Sequence, residues 1–180
     1  PWHLNSYIKR YYSGEKEYAE KKLRYQFGEP WARLVKRELV VRNEIRFAET
    51  IIHEDTVFAY LIGFYASSVK VDERALYCVT VARPNSVSTT KDDVRSQIRI
   101  DVFAKKQLFF RENHIKNRVW EHYFQLSNFF WHNRIQYKKA KERLKTMGFT
   151  NADIMGGLFE SYIARIINRI RLLFGLSRLF

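Results

Sequence analysis

One cysteine, three prolines and seven glycines in 180 residues exclude several architectures at once. With Cys78 alone there is neither an internal disulfide framework nor a cysteine-rich zinc module, so a reducing compartment is the expected setting. Cys78 itself lies in the apolar run 76–81, where a buried, inert thiol is expected. The scarcity of glycine and proline rules out collagen-like and low-complexity chains. There is no glycine-rich phosphate loop, no G-x-S-x-G elbow, no H-E-x-x-H and no paired C-x-x-C. Nucleotide hydrolysis, serine hydrolysis and zinc catalysis therefore each lack their usual signature. The most apolar stretch free of charge, residues 56–69, has fourteen residues, against about 20 needed to span a bilayer, and reads as a buried core helix. No transmembrane span and no internal repeat is expected.

What the chain does have is charge of one sign and aromatic bulk. Lys and Arg number 32 against 19 Asp and Glu, a formal net charge of +13, and 16 % of residues are Phe, Trp or Tyr. The first points to acidic partners such as RNA or anionic lipid. The second supplies more large apolar surface than a small core requires, which points to other protein subunits.

The periodicity predicts a mainly α, multi-helix domain. Residues 1–14 read as an extended N-terminal arm, and residues 15–180 as a single helical domain. Helices are expected over 15–27, stopped by Gly28, and over 30–53, opened by Pro30 and striped with Leu34, Leu39, Ile45, Ala48 and Ile52. The loop 83–91 is followed by a helix with Thr90 and Asp93 as a loose capping pair. The competing expectation is α+β, with a β-hairpin around residues 76–103, because Ile98, Ile100 and Val102 alternate with Arg99 and Asp101. One long central helix runs over 119–147 to a C′ glycine at Gly148. An amphipathic C-terminal helix follows, capped by Thr150 or Asn151, with Ile154, Leu158, Tyr162, Ile166 and Ile170 at spacing four.

Candidate metal ligands are sparse. Glu49 and His53 share a face at i, i+4 without the further ligands of a di-iron site, and His122 and His132, ten residues apart on the central helix, read as polar interface residues that would not ligate one ion together. No cofactor, metal or catalytic residue is implied. Interaction residues are more evident. Six aromatics lie within residues 120–131, and Trp120, Phe124, Phe129 and Trp131 are the expected partner-docking anchors. Residues 115–148 carry 8 basic and 2 acidic groups, and Lys138, Lys139, Lys141, Arg143 and Lys145 form a phosphate-binding or acidic-partner face. Arg165, Arg169, Arg171, Leu173, Phe174 and Phe180 give the C-terminal helix a basic, apolar character suited to a membrane or subunit contact.

These readings converge on a non-catalytic accessory or structural subunit of a large multi-subunit assembly, mitochondrial and associated with the matrix side of the inner membrane, of respiratory-chain or ATP-synthase type. The alternative is an RNA-binding structural protein of an organellar ribosome or other ribonucleoprotein.

Overall fold

The computed structural model describes residues 2–74 and 92–174, together with Cys78 and Thr80. Among the described residues there are eight α-helices and no strand, so the protein is mainly α. The chain forms two compact units, Pro1–Thr90 and Lys91–Phe180, where the sequence reads as one domain.

In the first unit, α1 (Trp2–Tyr12) is a helix, not the extended arm expected of residues 1–14. Leu4, Tyr7, Ile8 and Tyr11 recur at helical spacing and are half-buried. The chain reverses at Gly14, whose φ of +97° suits a residue without Cβ, and α1 then packs on α2 (Lys16–Tyr25). The phenols of Tyr11 and Tyr12 donate to the carbonyls of Val69 (3.2 Å) and Val71 (2.6 Å), tying the two ends of the unit together. The helix expected over 30–53 is absent. In its place stand a single 3₁₀ turn at Pro30–Ala32 and a short α3 (Arg37–Arg42). The Asn43 side chain donates to the Leu39 carbonyl at 2.8 Å, and Glu44 and His53 both take left-handed backbone angles, which no helix continues through. Ile45 and Ile52 are buried from loops, and Glu49 and His53 never share a helical face.

Helix α4 (Glu54–Tyr65) is the expected buried apolar helix, with Ala59, Tyr60, Ile62 and Gly63 inside. Gly63 is needed for contact with α2, since a Cβ there would lie 2.2 Å from the Arg24 carbonyl oxygen. The Arg24 guanidinium closes the same contact by donating to the carbonyls of Gly63 (2.7 Å) and Ala66 (2.5 Å). Arg33 donates to the carbonyls of Leu23, Phe27 and Ala59, and burial lowers its pKa to about 10.

In the second unit, α5 (Asp93–Glu112) is capped by Asp92, whose carboxylate accepts from the Arg95 amide at 2.7 Å. Ile98, Ile100 and Val102 lie in this helix, so the strand that would close a hairpin over 76–103 does not form; its other half, 76–81, falls mostly outside the described residues. Cys78, which is described, is exposed, contrary to the expected buried thiol. No described helix is long and apolar enough to cross a membrane.

The single long helix expected over 119–147 is two helices, α6 (Glu121–His132) and α7 (Arg134–Thr146). Asn133 divides them, with φ −148° and ψ 88°. Its side chain accepts from the Gln136 amide (3.2 Å), capping α7, and donates to Asp93 (2.9 Å), anchoring the break to the start of α5. Gly148 terminates α7 at φ +98°, as expected of a C′ glycine. Helix α8 (Asn151–Leu173) opens with a capping box: the Asp153 amide donates to Thr150 Oγ1 at 3.0 Å, and the Thr150 amide to the Asp153 carboxylate at 2.8 Å. The core of this unit gathers Ile100, Ala104, Tyr123, Leu126, Phe129, Ala140, Leu144, Phe149 and Ile154.

Candidate interaction surfaces

The contact between α6 and α8 decides which side chains the second unit presents. Helix α8 meets α6 largely through its smallest residues: Gly157, Ser161 and Ala164 are buried, with Ile154 the one fully buried large side chain and Leu158 partly buried against the core. A Cβ at Gly157 would lie 2.2 Å from the Tyr123 ring, so the two helices pack at backbone distance there. At about 100° per residue, that buried line leaves Met155, Phe159, Tyr162, Ile163, Ile166, Ile167 and Ile170 on the opposite side, and all seven are exposed. Phe159 is 65 % exposed, Leu173 84 % and Phe174 77 %. Continued by Leu173 and Phe174, these side chains form a contiguous exposed apolar face, the kind that marks an interaction site rather than scattered surface residues. No Asp, Glu, Lys or Arg falls within its arc.

Of the three arginines expected to contact a membrane or subunit, Arg165 does something else. Its guanidinium donates to the Phe124 carbonyl (3.1 Å) and to Asn128 Oδ1 (2.7 Å), so it clamps α8 to α6. Burial lowers its pKa, and the neighbouring Arg169 lowers it further. Arg169 is exposed and Arg171 half-buried at the edges of the apolar face. Leu173 and Phe174 extend that face, and Phe180 lies outside the described residues.

The four aromatic anchors are divided by the fold. Phe129 is 5 % exposed and belongs to the core, so it cannot dock a partner. Trp120 is half-buried beneath the Arg118 guanidinium, 4.5 Å from its ring centre, and Phe124 is half-buried with Arg165 at 6.0 Å. Only Trp131 is open, at 60 % exposure, edge-on to Phe130 at 5.1 Å.

Helix α7 carries the basic face. Ala140 and Leu144 turn inward, Lys138 and Lys139 are exposed and Lys141 is half-buried. Arg143 pairs with Asp101 (2.7 Å) and Lys145 with Glu142 (2.9 Å), so those two are partly neutralised. Burial raises the Asp101 pKa, against the opposing pull of Arg143. Arg134, Lys138, Lys141 and Lys145, at successive spacings of four, three and four residues, fall within about 60° of one edge of α7.

A cleft of about 660 Å³ lies among α5, the 113–120 connection, α6 and the start of α8, with Arg111, Lys116, Arg118, Tyr123 and Asp153 in its wall. Its two arginines are paired, Arg111 with Asp153 at 2.6 Å and Arg118 with Glu160. Burial works to raise the Asp153 pKa, but hydrogen bonds from Thr150 and Arg111 outweigh it and the net shift is downward. Behind Tyr123 lies His122, fully buried with neither ring nitrogen hydrogen-bonded and tilted 37° to the Tyr123 ring, 3.9 Å between ring centres. Burial, with Arg111 and Arg118 nearby, lowers its pKa to about 3. His122 is thus a neutral core residue, not the polar interface residue its position suggests. Among the described residues no group of three or more His, Cys, Asp or Glu is placed to hold a metal ion.

No protein family, characterised protein or solved structure matches the chain.

Proposed function

We propose that the protein is a non-catalytic structural subunit of a multi-subunit assembly, held at a membrane, on the matrix side of the mitochondrial inner membrane. The observation that carries this reading is the open face of α8. A helix apolar on two opposite sides is normally enclosed, and among the described residues this one has a neighbour on one side only. An isolated chain with that face uncovered would self-associate, so a standing neighbour accounts for it. The net charge of +13 suits a compartment bounded by anionic lipid.

The test is native purification of the tagged chain from its own cells, with mass spectrometry of the co-purifying proteins before and after nuclease. A constant set of membrane-complex subunits that survives nuclease is the expected result. A chain that purifies alone, monodisperse and soluble, overturns the reading.

The cation row of α7 favours a second reading, an RNA-binding structural protein of an organellar ribonucleoprotein. Lys138 and Lys141 have no ion-pair partner among the described residues, and helical spacings of four, three and four set the row at a pitch of about 4.5–6 Å, comparable with successive phosphates of a single strand. This reading predicts RNA affinity that falls steeply with salt and is lost in the triple variant Lys138→Glu, Lys139→Glu, Lys141→Glu. Affinity unchanged by the triple variant removes the surface.

A further inference from the structure

We infer that the occupant of the open α8 face is an anionic lipid bilayer, on which the helix lies parallel to the membrane plane. The inference rests on the membrane-held reading above and assigns its contact. Three features of α8 favour lipid over a protein surface.

The first is the absence of hydrogen-bonding groups. From Met155 to Leu173, a length of about 27 Å, the seven-residue arc carries one polar side-chain group, the Tyr162 hydroxyl. Protein interfaces hold about one hydrogen bond per 100–200 Å², so a partner covering this area would need several donors and acceptors that the face does not offer. Acyl chains need none. The second is charge. Acidic residues end at Glu160, and residues 161–180 contain four arginines and no acid. Arg169 stands exposed at the edge of the face, where a side chain of this length reaches headgroup phosphates while the apolar arc sits below it. The third is placement. Tyr162, 49 % exposed, lies at the margin of the arc one helical step of seven from Arg169, the position that aromatic residues with a hydrated hydroxyl take at a membrane interface. With Arg165 engaged on Asn128 and Phe124, the rotation of α8 about its own axis is held, and the arc stays outward.

The experiment is co-sedimentation of the full purified chain with vesicles of phosphatidylcholine alone and of phosphatidylcholine with one third phosphatidylglycerol, in parallel with the co-purification described above. Binding to the anionic vesicles and weak binding to the neutral ones is expected. The exposed-site double variant Ile166→Glu, Ile170→Glu should lose at least tenfold in partitioning while keeping the wild-type circular dichroism spectrum and melting temperature. Arg169→Glu should cost about fivefold or more on anionic vesicles and little on neutral ones. Wild-type protein that ignores anionic vesicles, or a folded double variant that binds as well as wild type, overturns the inference. So does a stable dimer in solution that the double variant dissociates without any vesicle binding, since the face then belongs to a second copy. Vesicle binding without co-purifying subunits leaves the lipid contact standing and removes the assembly role. Co-purification without vesicle binding does the reverse.

Discussion

Gly156 and Gly157 are neighbours in the same turn of α8, and replacing each with alanine should have opposite effects. Alanine in a helix interior is favoured over glycine by roughly 1 kcal/mol. At Gly156 nothing lies within 4 Å of the new Cβ, so that gain should appear nearly whole. At Gly157 the Cβ meets three atoms of the Tyr123 ring at 2.2–2.4 Å, and that ring is only 3 % exposed and cannot swing aside. Overpacking of this kind costs roughly 1–3 kcal/mol. An overlap this deep belongs at the upper end, so the net loss is about 2 kcal/mol. The two variants should therefore differ by on the order of 3 kcal/mol, and in a unit of this size each kcal/mol moves the melting temperature by roughly 4–8 °C. Urea titration followed by circular dichroism reads the difference directly. Combining Gly157→Ala with Tyr123→Leu should recover part of the loss, because the smaller side chain makes room for the Cβ. Equal stabilisation by both alanines would refute the close approach of α6 and α8, and with it the outward orientation of the large α8 side chains.

Three further outcomes follow from the second unit and from Cys78. The His122 imidazole takes up a proton near pH 6.5 in the unfolded chain but only near about 3 in the fold, so the unfolded state binds the extra proton between those values. Stability should fall as pH drops through that window, by up to about 1.4 kcal/mol per pH unit from this group. In His122→Leu that component should vanish, and an unchanged pH profile would contradict the buried neutral state. Thr150→Ala removes the oxygen that accepts from the Asp153 amide and should cost about 1 kcal/mol, read as a shift in the denaturation midpoint; no shift would mean the capping box contributes nothing. Cys78 should react with a maleimide in native buffer at one label per chain, and protection until the protein is unfolded would show that the thiol is covered.

Much of this fold is legible in the sequence wherever a local signal ends an element. Gly148 marks the close of α7, Gly28 lies just beyond α2, and Thr150 with Asp153 opens α8. The charge-free run that begins at Thr56 is the buried helix α4 as far as Tyr65, too short to span a bilayer. The failures share a different cause. Hydrophobic period tells which residues share a face, but it does not tell which face a neighbour takes. In α8 the large side chains at spacing four suggest the core side, whereas Gly157, Ser161 and Ala164 are the residues that pack. Their own small-residue spacing was the available sign. The period from 119 to 147 passes through Asn133 without interruption, yet the Asn133 side chain finds a better use in capping α7 and bonding Asp93. Likewise the charge on Arg165 suggests solvent or phosphate, but its donors are spent on α6. Residues 2–12 are a further case, where the stripe of Leu4, Tyr7, Ile8 and Tyr11 is too short to stand out as a period in the sequence.

The use of small residues at the α6 contact inverts the ordinary relation between size and tolerance along α8. In most globular helices the bulky apolar positions resist substitution and the small ones accept it. Here a saturation library selected for folding alone should accept almost any residue at Phe159, Ile166 or Ile170, and almost none at Gly157 or Ser161. Selection for the protein's work in the cell should restore intolerance at the large positions. The difference between those two maps would outline the functional surface without any knowledge of what it touches.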